Sequence, residues 1–304
     1  MSVISTGNHP KALWPGIKAW WGRQYNEHVT EFTDLFDNDT SDKQYEELVE
    51  VTGFGLAPVK EQGAAVSYDT ESQGTVTRST HVAYGLGYIV TREELDDNKY
   101  EIVSKRRAQA LAYAMRQTKE NVAANVYNRG FNSSYVFGDG VEMLSTAHPT
   151  VSGNQSNELA TAADMSEASL EDLVIQVMGA QNARGLRINL MPQSLIVPRQ
   201  LVFEANRIIK STLQSGTANN DVNALRSTGQ FPGGIKVNHY LTDTDAFFIR
   251  TNIPSGTGLV HFGRVAAEFT QDNDFDTENA KAKSYERYSF TVGDFRAVYG
   301  SPGA

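Results

Sequence analysis

Ser145 and His148 stand three residues apart in the segment Asp139–Pro149, DGVEMLSTAHP. These are the residue types of a nucleophile and its general base. No G-x-S-x-G elbow surrounds the serine, and no glycine cluster follows that could build an oxyanion hole. His148, next to Pro149, reads instead as a residue bonding within a turn. The acidic run Asp272, Asp274, Asp276 and Glu278 suggests calcium. It lacks the D-x-D-x-D-G order with a distal glutamate that a calcium loop needs, and reads as a solvated loop. Asp272, Asp274, His148 and Glu142 are the donors a metal-dependent hydrolase would draw on, yet no local spacing favours it. The histidines, His9, His28, His81, His148, His239 and His261, are scattered. HExxH, Walker and GxGxxG motifs do not occur. No catalytic residue, cofactor site or metal site is assigned, and a structural or binding role is favoured over an enzyme.

Composition narrows the class further. A chain of 304 residues, 40% hydrophobic, can bury the core of one large or two ordinary domains. Cysteine is absent, which excludes disulfides and thiolate metal sites and makes cytosolic synthesis the simple expectation. No apolar run reaches transmembrane length, and the first residues lack the layout of a secretory signal. The net charge of −9 argues against a protein whose main task is to grip nucleic acid.

The rest of the chain is organised around residues 100–129. They contain no Gly or Pro and are rich in Ala, Gln, Arg and Lys, so a helix roughly 45 Å long is expected. Asp97 and Asn98 are candidate caps, and Gly130 stops it. Val103, Ala110, Leu111, Ala114, Met115, Val122 and Val126 form a drifting apolar stripe without heptads, which predicts a spine for sheets rather than a coiled coil. Lys105, Arg106, Arg107, Arg116 and Lys119 give it a basic side. That side is either a solvated face or a contact with acidic neighbours or packaged nucleic acid.

Before the spine come two unusual stretches. Trp14, Trp20 and Trp21 are all the tryptophans of the protein, and a short arm cannot bury three indoles on itself. They cover the chain's own core or clasp a neighbouring subunit; both readings stand. An amphipathic helix is expected over 19–36, with Trp21, Tyr25, Val29, Phe32 and Phe36 on one side. Residues 53–90 alternate around the turn cluster DTESQG, which predicts a long two-stranded hairpin. Its apolar content is too low for a core, so it should lie on something else, another subunit or, as an ordinary surface hairpin, its own domain. Tyr68, Thr75 and Arg78 are its candidate contact residues, beside Trp14, Trp20 and Trp21.

After the spine, Ser166 or Ser169 caps a helix expected to run to Ala183, and 188–197 reads as a buried strand followed by a helix from Pro198. Residues 215–234 read as a flexible loop. Strands are expected at 235–240, 246–250, 259–262, 264–270, 285–292 and 295–299, a mixed arrangement of helices and sheets.

Four stretches in order then carry a resemblance: DGVEMLSTAHP (Asp139–Pro149), INLMPQSLIVPRQLVFEANRIIKS (Ile188–Ser211), YLTDTDAFFIRTN (Tyr240–Asn252) and YSFTVGDFRAVYGS (Tyr288–Ser301). The chain resembles the major capsid proteins of tailed bacteriophages with the HK97 fold, in the style of Mu-like major head subunits. The resemblance implies an α+β HK97-like subunit. An N-terminal arm would take 1–52, an extended loop 53–90 and a peripheral domain with the spine helix 91–164. An α/β axial domain would take 165–263, with a return to the peripheral sheet and the C-terminal end in 264–304. It also implies hexamers and pentamers closing an icosahedral head around double-stranded DNA that faces the inner surface without sequence-specific binding. Scaffolding protein and portal are the implied assembly partners, with a decoration protein as a further candidate and no membrane. The shell would be a virion component made in the host cytoplasm. An encapsulin-type nanocompartment shares the implied fold, and a tail or baseplate protein is a further reading. Lys60, placed at the hairpin base, gives no reason to expect the covalent crosslinks of the family's founding member. The absence of a long helical region ahead of the arm implies a separate scaffolding protein or prior cleavage.

Overall fold

The computed structural model describes residues 14–97, 100–214 and 221–304. The first half contains α1 (Trp14–Glu27), α2 (Phe32–Leu35), β1 (Asp37–Thr40), β2 (Tyr45–Val51), β3 (Gln73–Thr80) and β4 (Val82–Val90). Then come α3 (Arg92–Asp97), α4 (Tyr100–Asn128), β5 (His148–Thr150) and β6 (Gly153–Gln155). The second half contains α5 (Glu167–Met178), β7 (Pro192–Pro198), α6 (Val202–Lys210), α7 (Ala224–Thr228) and β8 (Ile235–Asn238). It closes with β9 (Phe247–Thr251), β10 (Leu259–Asn273), β11 (Ala280–Val292) and β12 (Val298–Ser301).

The spine α4 forms as expected, but its buried face differs from the apolar stripe. Ala108, Leu111, Ala112, Met115, Arg116, Lys119, Glu120, Ala123, Ala124 and Tyr127 are buried, at three- and four-residue steps, whereas Ala110 is exposed. Three charged residues continue the stripe where a hydrophobicity pattern would break it. Against this face lies a sheet of order β1-β10-β11-β4, in which β1 runs parallel to β10 and the other pairs are antiparallel. Trp21, Tyr25, Leu111, Met115 and Phe269 pack between α1, α4 and β10.

A second sheet, β12-β9-β7-β8, carries the other core. The apolar face of α5 (Leu170, Leu173, Val174, Val177) joins Leu195, Val197, Phe247, Ile249 and Tyr299 there, with Ala205 and Ile208 of α6. Helix α5 starts at Ser166, whose Oγ accepts from Ser169 N while Ser169 Oγ accepts from Ser166 N, a reciprocal cap. The two halves are joined by Tyr127, Leu144, Ile196, Phe248, Val292 and Val298, which share one core cluster.

Several expectations are corrected. The helix foreseen over 19–36 is interrupted: α1 ends at Glu27, Val29 is exposed, and only one further turn follows. The ribbon is not folded from 53–90 alone. β3 pairs with β2, so the partner strand comes from the segment assigned to the arm, and 53–72 contains no strand. β4 leaves the ribbon and pairs with β11. Lys60 therefore lies in the apical loop, not at the base. The strands at 259–262 and 264–270 are one continuous strand, β10, with register shifts at Gly263 and Val265. The C-terminal strand β12 belongs to the second sheet, on β9. Part of the loop expected over 215–234 folds into α7, capped by the Asn223 side chain accepting from Arg226 N.

Candidate assembly interface

The ribbon β2–β3 is held by its backbone ladder and by polar side chains along its edge. Arg78 pairs with Glu47 across it, with Nη2–Oε1 at 2.7 Å, and stacks over Tyr45. Thr75 Oγ1 donates to Glu50 Oε2 at 3.3 Å. Beyond Val51 the chain leaves the ladder and returns at Gln73. Thr52 N donates to Ser72 O, and Gly55 N donates to Asp69 Oδ2 at 2.7 Å, which closes the neck of the loop. The Asp69 carboxyl is held below its ordinary range by these backbone donors from Gly55 and Thr70, and by Arg184. Past the neck, Leu56 is 82% exposed, Val59 95% and Tyr68 95%, with Phe54 and Val66 each 59% exposed. These side chains form an exposed apolar surface with no core of its own, the character of an interaction site.

Beside the ribbon, a concave surface of about 830 Å³ lies between β3, the second half of α4 and the loop 131–138. Val76, Val82, Val122, Val126, Tyr135 and Val136 line it, with Arg78 and Arg129 also present. Its lining mixes these groups with polar side chains such as Thr77, Ser79, Asn125 and Ser289, and the loop carries Lys60 and Glu61 among its apolar side chains.

The spine's charges have a different role from the basic face foreseen for them. Lys119 Nζ lies 2.5 Å from Glu286 Oε1, and Tyr25 Oη donates to Glu286 Oε2 at 2.9 Å. Glu120 accepts from the backbone N–H of Glu31 and of Phe32, the latter at 2.8 Å, and burial pushes its carboxyl above the usual range. The Arg116 guanidinium lies over the Tyr25 and Phe32 rings. His261 faces the same cluster; burial, then the charges of Lys119 and Arg116, push it down to about 3, so it stays neutral. This network ties the start of the chain to the spine and to β11. Arg116 and Lys119 are thus corrected from a surface face to buried structural pairs. Lys105 and Arg106 are exposed, and Lys105 Nζ lies 5.6 Å from the centre of the Trp20 ring.

Of the tryptophans, Trp21 is 5% exposed and stacks on Tyr25 and Phe269. It covers its own chain's core, so the contact with a neighbour is withdrawn for it. Trp20 is half-buried against the same cluster. The Trp14 side chain lies outside the described residues, as does Asn98. Tyr68 is exposed on the loop, Arg78 is exposed on the ribbon and Thr75 is half-buried. The sequence reading missed Phe54, Leu56, Val59 and Val66; apolar residues recurring on both sides of Lys60-Glu61-Gln62 were the available signal.

Ser145 and His148 meet at one amide, since Asn157 Oδ1 accepts from Ser145 N at 2.8 Å and also faces His148. His148 is 1% exposed, with Nδ1 2.6 Å from Asp139 Oδ2 and Nε2 3.0 Å from Asn157 Oδ1, and stacks on Phe295. It fastens a turn, as its place before Pro149 predicts. Asp274 pairs with Lys281 in the exposed turn between β10 and β11. Among the described residues no group of three His, Asp or Glu is arranged to hold a metal ion.

The family model described as phage capsid protein matches residues 74–301. No curated protein matches the sequence. Among solved structures, the capsid of an empty GTA particle is similar with a TM-score of 0.56 at 13% identity, over 91% of this chain and 92% of that one. A virus-like particle from Pyrococcus furiosus gives 0.53 at 13% identity, over 95% and 98%. Mycobacterium phage Che8 gives 0.51 at 16% identity, over 91% and 94%. At these identities the likeness is one of fold.

Proposed function

From the premise that this chain belongs to the phage capsid protein family, with an α+β HK97-like fold, we propose that it is a Mu-like major head subunit. In this reading it assembles as hexamers and pentamers into an icosahedral shell around double-stranded DNA. The observation that carries the assembly reading is the uncovered apolar loop, with Leu56, Val59 and Tyr68 in solvent and no partner surface among the described residues. In a shell, that loop lies on an adjacent subunit, and the concave surface beside α4 is its seat. Burying such side chains gains about 25 cal/mol per Å². Because each subunit both gives and receives a loop, closure of a ring is cooperative.

The net charge of −9 fits a shell whose inner surface does not hold DNA tightly, since neutralising many phosphates would oppose both packaging and release. Of the spine residues first considered for that surface, only Lys105 and Arg106 are exposed. Scaffolding protein, portal and a decoration protein are the partners this reading expects, with synthesis in the host cytoplasm. The contents of the shell separate a phage head from a nanocompartment. Nuclease-protected double-stranded DNA in purified particles supports the head, and a packaged enzyme without DNA would overturn it.

A further inference from the structure

Arg296 sits where three parts of the subunit meet. It lies in the short turn between β11 and β12 and is 3% exposed. Its Nε donates to Gln181 O at 2.7 Å, in the segment that follows α5. Its Nη1 donates to Glu50 Oε1 on β2 at 3.2 Å and to Asp294 Oδ1 at 3.0 Å. Its backbone O accepts from Thr251 Oγ1 on β9 at 2.7 Å. The guanidinium stacks on Phe295, whose other partner is the His148 ring. Nη2 is buried without a partner among the described residues, and Arg296 lines a small cavity of about 20 Å³ with Glu50, Thr75, His148, Met143 and Phe137.

Glu50 passes the connection on, because its other oxygen accepts from Thr75 on β3. One guanidinium therefore joins both strands of the ribbon to the second sheet's half of the molecule. Two glycines let the ribbon come this close. A Cβ at Gly138 would run into Val76 O at 2.7 Å and into Thr77 Oγ1, and one at Gly293 would run into the Leu48 side chain. A buried charge with one unmatched donor is costly to hold. Its forked geometry is what lets one side chain bond three segments at once.

We propose that Arg296 is the positioning residue that fixes the extended ribbon to the axial half of the same subunit, so that the ribbon cannot swing without breaking its bonds to Glu50 or Gln181. A shift of the half that carries the second sheet is thereby transmitted to the ribbon and its apical loop. The inference concerns geometry within one chain and stands or falls independently of the shell reading.

The chain has no cysteine, so Gln73→Cys on β3 and Phe203→Cys on α6, both exposed, take spin labels cleanly. The doubly labelled full chain is diluted into unlabelled protein and the label-to-label distance distribution is measured. The parent gives one narrow population. Glu50→Gln and Arg296→Lys each lower the ratio of seated to displaced ribbon about tenfold or more, the effect of losing a charge-assisted hydrogen bond. The double variant adds little to Arg296→Lys. Glu47→Gln, which breaks only the ion pair within the ribbon, leaves the distribution as in the parent. Unchanged distributions in Glu50→Gln and Arg296→Lys overturn the proposal, as does a shift in Glu47→Gln equal to that in Glu50→Gln. Should Arg296→Lys fail to fold, Glu50→Gln decides alone, since the Glu50 side chain is one-quarter exposed.

Discussion

Removing residues 56–68 tests the role of the apical loop without touching the body. Gly55 N and Asp69 Oδ2 are already 2.7 Å apart, so an Asn-Gly pair can close the neck in their place. The deletion takes away Leu56, Val59, Val66 and Tyr68, which rest on none of the three core clusters. Fully burying each such side chain is worth about 1.5–3 kcal/mol, so the four together offer roughly 6–12 kcal/mol per subunit as an upper bound. Association has its own cost of about 4–15 kcal/mol in lost freedom. Losing even a third of the gain, roughly 2–4 kcal/mol, weakens a contact at least about thirtyfold. The trimmed subunit should therefore unfold within about 0.5 kcal/mol of the parent in denaturant, yet sediment as small species where the parent forms large ones. Particles of parental size from the trimmed chain would refute the reasoning. So would a large loss of subunit stability, because the loop would then be part of the fold.

Three further outcomes follow from the interior. Glu286→Gln leaves Lys119 without its carboxylate and should cost about 3–5 kcal/mol in equilibrium unfolding, whereas replacing Lys119 and Glu286 together by Met and Leu should recover much of it. His261, held neutral at about 3 in the fold, takes up its proton more readily once unfolded, near 6.5. Its contribution is present above the unfolded value and falls as pH drops from about 6.5 toward 3, on the order of a few kcal/mol. His261→Asn should flatten that part of the stability–pH curve, and an unchanged curve would contradict the assignment. Gly138→Ala forces a Cβ against Val76 O and should destabilise the subunit by about 1–3 kcal/mol, read as a lowered Tm.

Local signals were legible where one element decided its own form. The Gly- and Pro-free run gave α4, Ser166 with Ser169 gave the start of α5, and the apolar run before Pro198 gave β7. The ribbon was harder, because pairing is a non-local choice. YEELVEV of β2 mixes acidic with apolar residues without alternating, and four of its seven positions are exposed, so it carries no core signal, and only the β3 ladder shows its use. Charge was the least legible feature. Arg116, Lys119 and Glu120 look like a solvated face until Glu286, well over a hundred residues away, and the backbone of Glu31 and Phe32 supply their partners. Trp21 stayed open between two readings for the related reason that an arm looks free until Phe269 is found stacked on it. The apical loop was misread because residues 65–69 alternate like a strand, while Asp69 is used in closing the neck instead.

The central claim, that this subunit builds a closed shell, is tested most directly by electron microscopy of the purified full chain, with light scattering after size exclusion on the same sample. Closed particles, or capsomer-sized rings that close when scaffolding protein is supplied, are the predicted result. A monodisperse monomer or dimer that stays so with scaffolding protein present would contradict it.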